Sequence, residues 1–69
     1  MTEYNLTYVQ AQELLEAGQV LLMKNRKSIE NKVRLNDKGK FERYDPKSEE
    51  WIEYKVTNIS AICAKYAII

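Results

Sequence analysis

Apolar and polar residues near the start of the chain alternate with the period of an amphipathic helix. Thr7 stands where such a helix would begin, and Gln10 follows three residues later, which is the spacing of a capping box. Gly18 can adopt the left-handed conformation that often ends a helix. Between them, four apolar residues recur at nearly helical spacing: Val9, Ala11, Leu14 and Leu15. The pattern predicts one helix over residues 7–17.

The middle of the chain has the pattern of short strands joined by turns. Residues 19–24 hold four consecutive apolar residues and little alternation, which is typical of a strand that is buried on both faces or central in its sheet. In residues 29–35 the charged Glu30, Lys32 and Arg34 alternate with Ile29, Asn31, Val33 and Leu35, which predicts a strand with one wet face. Asn36–Gly39 has the composition of a hairpin turn, and residues 40–44 are predicted to return as a third strand.

A second turn and a fourth strand follow. Pro46 presets the backbone at the first corner of the turn. Residues 50–56 alternate cleanly, so successive side chains are expected on opposite faces of a strand. The two faces would carry Ile52, Tyr54 and Val56 on one side and Trp51, Glu53 and Lys55 on the other.

The last residues predict a helical turn and a final strand. Thr57 or Asn58 can cap a short helical turn. Residues 66–69 are entirely apolar, so we expect them in a sheet or at an interface, with Ile68 and Ile69 buried. The predicted fold class is α+β, with an N-terminal helix packed on a small, mainly antiparallel sheet of about four to five strands and a short helical turn near 58–63.

The length and composition narrow the class of protein. The 69 residues predict a single domain, 1–69, and a chain this short buries only roughly 60% of its unfolded surface. Such domains usually need a disulfide, a metal or a partner subunit. A single cysteine cannot form a disulfide within the chain, and one cysteine without histidine does not provide the usual ligands of a zinc site. We therefore expect a homo-oligomer. With no signal-peptide pattern in residues 1–5 and no apolar run of about 20 residues, we expect a cytoplasmic protein without membrane contact.

The net charge of +1 conceals an uneven distribution along the chain. Residues 1–18 carry three acids and no base, and residues 48–69 carry three acids and two lysines. Residues 19–47 carry nine Lys and Arg against four acids. This basic middle is either the solvated face of a hairpin or an anion-binding surface.

The residues favour a binding protein over an enzyme. Histidine, the commonest general base, is absent, and two glycines cannot build a glycine-rich phosphate loop. Cys63 has apolar neighbours in sequence, which favours an inert core thiol over a nucleophile. We expect no catalytic residue, no cofactor and no metal.

A cluster of cations and several aromatic residues suggest a phosphate-bearing ligand with a base. Arginine can grip a phosphate through two hydrogen bonds, and aromatic rings can stack on bases. Trp51 has an alternative role as an anchor of the core. A pI of about 7.8 does not favour a long nucleic acid, whereas a small nucleotide suits near-neutral charge. The predicted ligand-binding residues are Lys24, Arg26, Lys27, Arg34, Trp51 and Tyr54.

Four short segments resemble one family of small phage proteins. They are Leu14-Leu15-Glu16-Ala17-Gly18-Gln19-Val20, Lys24-Asn25-Arg26-Lys27, Glu50-Trp51 and Tyr66-Ala67-Ile68-Ile69. In their order they resemble the Thoeris anti-defence proteins of the second type, which sequester cyclic ADP-ribose-like signals. The chain departs from that family at Leu21-Leu22-Met23, where the family often has paired basic residues, and at Tyr66, where it has tryptophan.

The resemblance implies a non-enzymatic phage-type protein that sequesters a cyclic nucleotide immune signal to counter host defence. It also implies an oligomer with ligand sites between subunits, active in the cytoplasm of the host cell. The expected ligand is a cyclic ADP-ribose isomer or a cyclic oligonucleotide. Two alternatives stay open: a protein-binding inhibitor of a host enzyme or nuclease, similar to an anti-CRISPR protein, and a structural or regulatory phage module.

Overall fold

The computed structural model describes residues 3–69. Two helices and five strands follow one another along the chain: α1 (Tyr8–Glu16), β1 (Leu21–Lys24), β2 (Glu30–Leu35), β3 (Phe41–Asp45), β4 (Glu50–Glu53), α2 (Asn58–Cys63) and β5 (Lys65–Ile68). The predicted α+β class is confirmed, including the N-terminal helix, the antiparallel sheet and the short second helix.

Helix α1 begins and ends where local chemistry predicts. The Thr7 hydroxyl accepts a hydrogen bond from the Gln10 amide at 3.1 Å, and the Thr7 amide donates to the Gln10 side chain at 3.0 Å. Two amides that the first turn would leave unpaired are therefore satisfied. Gly18 has a φ of 89°, the left-handed conformation that turns the chain towards β1.

The five strands form one antiparallel sheet in the order β4-β3-β2-β1-β5. The first four run as a meander, and β5 returns after α2 to pair with the outer side of β1. Strand β1 is therefore interior, as its sequence predicted, although it is not buried on both faces because Leu22 and Lys24 are only half-buried. The Leu6 amide donates to the Tyr66 carbonyl at 3.3 Å, so part of the β5 edge is covered.

The helices pack on one face of the sheet and form the core there. Tyr66 contributes the largest side chain of this core, and its hydroxyl donates to the Ala61 carbonyl of α2 at 2.8 Å. The fully buried members of the cluster are Ala11, Leu15, Leu21, Met23, Val33 and Tyr66. The opposite face of the sheet, here called the open face, carries the alternate residues of every strand.

Three residues near the C-terminus lie in positions that the sequence did not predict. Ile68 and Ile69 are 56% and 60% exposed, although Ile68 belongs to the predicted strand. Cys63 is exposed as well, so the prediction of a core thiol is wrong. Helix α2 is only six residues long and turns Ala61 towards the core, which leaves its neighbours in solvent.

Candidate functional site

Arg34 and Trp51 make the closest cation–π contact on the open face. The guanidinium carbon of Arg34 lies 4.3 Å from the centroid of the Trp51 ring. Its Nε donates to Oε1 of Glu42, the residue directly opposite on β3, at 2.9 Å. Arg34 therefore extends from β2 across β3 to reach Trp51 on β4, and both contacts fix the plane of its guanidinium.

Tyr44 and Lys32 extend this arrangement along the sheet. Tyr44 is the cross-strand partner of Trp51, and the two rings meet edge to face with centroids 5.7 Å apart and an interplanar angle of 68°. Nζ of Lys32 lies 5.7 Å from the centroid of Tyr44. We call the set Lys32, Arg34, Tyr44 and Trp51 the aromatic platform.

The electrostatics of the aromatic platform are mixed. Glu42 lies opposite both Arg34 and Glu53, so two carboxylates stand beside the two cations of the platform. The Arg34 and Glu42 side chains are 41% and 21% exposed, and a pair this accessible to water adds at most about 1 kcal/mol to stability. The ion pair uses Nε, and within residues 3–69 neither Nη atom has an acceptor within hydrogen-bond distance. Those Nη groups can bind a ligand oxygen.

Tyr54 does not belong to the aromatic platform, which corrects the prediction that it joins Trp51. The two residues are three positions apart on an extended segment, so their side chains point to opposite faces. Tyr54 packs against the core on the helix side, where it lines a cleft of about 460 Å³ together with Tyr8 and Phe41. One ligand molecule on the open face cannot contact both Trp51 and Tyr54.

The three predicted cations at the end of β1 and in the turn after it also separate in the structure. Arg26 and Lys27 are exposed in the β1–β2 turn, while Lys24 ends β1 and points to the open face. A cavity of about 210 Å³ at this turn is lined by Lys24, Asn25, Arg26, Ser28, Cys63 and Lys65, and we call it the basic cavity. Lys27 is not part of its lining. The predicted cluster is therefore assembled only in part.

The residues around Lys24 make further contacts. Its Nζ lies 5.4 Å from the centroid of Tyr4, and the Tyr4 hydroxyl donates a hydrogen bond to Glu30, the cross-strand partner of Lys24. Burial together with the Glu30 carboxylate raises the pKa of Tyr4 to about 12. Arg34 is four residues beyond Glu30 on β2, or about 13 Å at 3.3 Å per residue. The basic cavity and the aromatic platform are therefore separate places on the molecule.

Sequence reasoning missed Lys32 and Lys65 and gave Tyr44 no place in the predicted set. Their positions depend on which strands pair and in which register, and no local pattern in a single strand reveals this. The separation of Trp51 from Tyr54, in contrast, follows from strand periodicity alone and was visible in the sequence.

Comparison of the chain with protein families, curated proteins and solved structures finds no match. Across residues 3–69, no helix has the length and apolar character to cross a membrane. In the same part of the chain, no three His, Cys, Asp or Glu side chains gather as ligands for a metal ion.

Proposed function

We propose that this protein is a non-enzymatic binding protein that holds a small nucleotide on the aromatic platform. One observation carries the proposal: the guanidinium carbon of Arg34 lies 4.3 Å from the centroid of the Trp51 ring, its Nε is bound to Glu42, and within residues 3–69 its Nη groups have no acceptor. An arginine fixed in this way is ready to make two parallel hydrogen bonds to a phosphate.

The neighbouring rings supply the second half of nucleotide recognition. Tyr44 and Trp51 are half-buried on the open face, opposite the two helices of residues 3–69, so a base can approach their rings. Stacking of a base on an aromatic side chain contributes about 1–3 kcal/mol and tolerates different bases. The aromatic rings therefore lie beside Lys32 and beside the Arg34 groups that would donate hydrogen bonds to a phosphate.

The charges favour a small ligand over a long polyanion. Lys32 and Arg34 are balanced by Glu42 and Glu53 on the same face, so in the described part of the chain the aromatic platform is not a continuous positive track. Proteins that follow a nucleic-acid backbone need such a track. A cyclic ADP-ribose isomer or a cyclic oligonucleotide needs only a few donors.

We further propose that binding sequesters a cyclic nucleotide immune signal in the host cytoplasm and thereby counters host defence. The support is the resemblance of four segments to the Thoeris anti-defence proteins of the second type. The aromatic platform adds cationic and aromatic groups of the kinds that bind phosphates and bases. Capture would be stoichiometric, and the protein would act as a homo-oligomer.

Exposed isoleucines favour a second candidate function, the binding of a host protein. Ile59, Ile62 and Ile68 are between 56% and 69% exposed, which is unusual for side chains of this size near one another in sequence. An inhibitor of a host enzyme would use this surface and would not need the aromatic platform.

Calorimetric titration tests the nucleotide proposal directly. The wild-type protein is titrated with cyclic ADP-ribose isomers and small cyclic oligonucleotides, and Arg34→Gln is expected to weaken binding at least tenfold. Arg43→Gln is the matched control, because Arg43 lies opposite Val33 and Ile52 and therefore points to the other face. If the wild type binds none of these ligands, or if both variants bind equally well, the proposal is wrong.

A further inference from the structure

We infer that the basic cavity is a second binding site, for a phosphate-bearing anion about the size of pyrophosphate, and that Lys65 is one of its ligand-binding residues. The site does not depend on the aromatic platform or on the function proposed for it. It brings together residues that are far apart in sequence, since Lys24 and Arg26 belong to the β1–β2 hairpin and Lys65 begins β5.

The lining of the basic cavity is cationic and polar. Of the lining residues in the described part of the chain, Lys24, Arg26 and Lys65 are cations and none is a carboxylate. Its volume of about 210 Å³ lies below the roughly 300–1,000 Å³ typical of sites for drug-sized ligands. The size and the charge together fit a compact anion.

The register of β1 and β5 supplies the main physical argument. Lys24 and Lys65 are direct cross-strand partners, so two lysine side chains leave the same face of the sheet from neighbouring positions. Such partners have Cβ atoms about 4.5–5.5 Å apart, and like charges in this arrangement destabilise a sheet. An anion bound between the two ammonium groups would offset the repulsion between them.

Glu30 does not remove this repulsion by itself. It faces Lys24 from β2, on the side of β1 away from Lys65, and its carboxylate already accepts a hydrogen bond from Tyr4. Lys65 lies at the edge strand, with Lys24 as its partner. A bound anion would therefore neutralise the Lys65 charge, for which the described lining of the basic cavity supplies no carboxylate.

The β1–β2 turn holds the remaining donors in place. Oδ1 of Asn25 accepts hydrogen bonds from the amides of Lys27 at 2.9 Å and Ile29 at 3.0 Å, and Ser28 has a φ of 62°. The turn is thus fixed by its own hydrogen bonds, which presents Arg26 from a defined backbone. The side-chain amide nitrogen of Asn25 and the hydroxyl of Ser28 are further hydrogen-bond donors among the residues that line the cavity.

Thermal unfolding at low ionic strength, in chloride buffer without phosphate, tests the inference. Wild type is expected to be stabilised saturably by pyrophosphate, and by more than sodium chloride of equal ionic strength achieves. Lys65→Gln is expected to melt at a higher temperature than wild type without pyrophosphate and to bind it at least tenfold more weakly. Lys47→Gln, an exposed lysine in the β3–β4 turn, is the matched control and should respond as wild type does.

Cys63 provides an independent readout because it is exposed and lines the basic cavity. Pyrophosphate should slow the reaction of Cys63 with a neutral maleimide several-fold in wild type and in Lys47→Gln, but not in Lys65→Gln or Arg26→Gln. ADP is titrated in parallel. Tighter binding of pyrophosphate would indicate a site for a free anion, and tighter binding of ADP would indicate a site for the phosphates of a nucleotide. The inference is overturned if pyrophosphate and ADP stabilise wild type no more than salt does, or if all variants respond alike.

Discussion

At the scale of single residues, different parts of the Arg34 side chain are available for different contacts. Its guanidinium lies over the Trp51 ring, its Nε binds Glu42, and within residues 3–69 its Nη nitrogens have no acceptor. A lysine at this position would keep the charge, yet it lacks the planar group that stacks and the fork that binds two oxygens. The side chain is therefore expected to matter for its shape as well as for its charge.

Arg34→Lys tests this point. We expect the variant to lose most of the nucleotide binding, by about tenfold or more, because the ammonium makes neither the stack nor the paired hydrogen bonds. Its free energy of unfolding should stay within about 1 kcal/mol of wild type, since the lost pair is largely exposed. Calorimetry and urea unfolding measure the two effects, and binding equal to that of wild type would show that charge alone suffices.

Tyr66 leads to a prediction about pH and stability. Its burial in the core, with smaller contributions from Tyr8 and Tyr54, raises its pKa from 10.0 to about 12. Because the folded protein disfavours the phenolate, the stabilisation is fully present below pH 10 and is lost as the pH rises from 10 to 12. Urea unfolding from about pH 8, below both pKa values, to about pH 12 should show a steep alkaline loss of stability.

Tyr66→Phe is the matching variant. It removes the hydrogen bond to the Ala61 carbonyl and should cost about 1 kcal/mol at neutral pH, more if the carbonyl stays unpaired. The alkaline loss of stability should become shallower, because one titrating group has been removed. An unchanged pH profile in the variant would mean that other tyrosines, such as Tyr4, cause the alkaline effect.

At the scale of elements, the helix and the turns follow from local chemistry, whereas the sites depend on pairing between strands. The capping box at Thr7, the glycine at position 18 and the Asn36–Gly39 turn are each satisfied by contacts within a few residues. The placement of Lys65 beside Lys24 needs the return of β5 to β1, which no local pattern specifies. The exposure of Cys63 likewise depends on which side of α2 faces the sheet.

Thr7→Ala measures the contribution of the capping box to α1. The change removes the hydroxyl that accepts from the Gln10 amide and should destabilise the protein by about 1 kcal/mol. Thr7→Ser, which keeps the hydroxyl, is the matched control and should change the stability little. Equal unfolding midpoints for Thr7→Ala and wild type would indicate that another group caps the helix.

At the scale of the whole molecule, the chain combines a small core with a large exposed apolar surface. Among residues 3–69, eight hydrophobic residues are buried, while six large apolar side chains are exposed. Four of the six, Ile59, Ile62, Ile68 and Ile69, come from α2 and the end of β5. Burying such side chains against a second copy would contribute about 1.5–3 kcal/mol each. This supports the proposed homo-oligomer.

Sedimentation of the pure protein checks the proposed association. We expect a mass that is a multiple of the 8.1 kDa chain, and a shift towards the single-chain mass when Ile59 and Ile62 are both changed to Ser. Val9→Ser changes an exposed apolar residue on α1 and serves as the control. A wild-type mass of one chain at high concentration would contradict the homo-oligomer.

The most direct test of the nucleotide-binding platform is to follow the indole N–H resonance of Trp51, the only tryptophan in the chain, by NMR. On titration with a cyclic ADP-ribose isomer or a cyclic oligonucleotide, this resonance should shift saturably in wild type and in Arg43→Gln. In Arg34→Gln the same concentrations should leave it largely in place. If a ligand binds by calorimetry while the Trp51 resonance does not move, the ligand lies elsewhere and the aromatic platform is not the site.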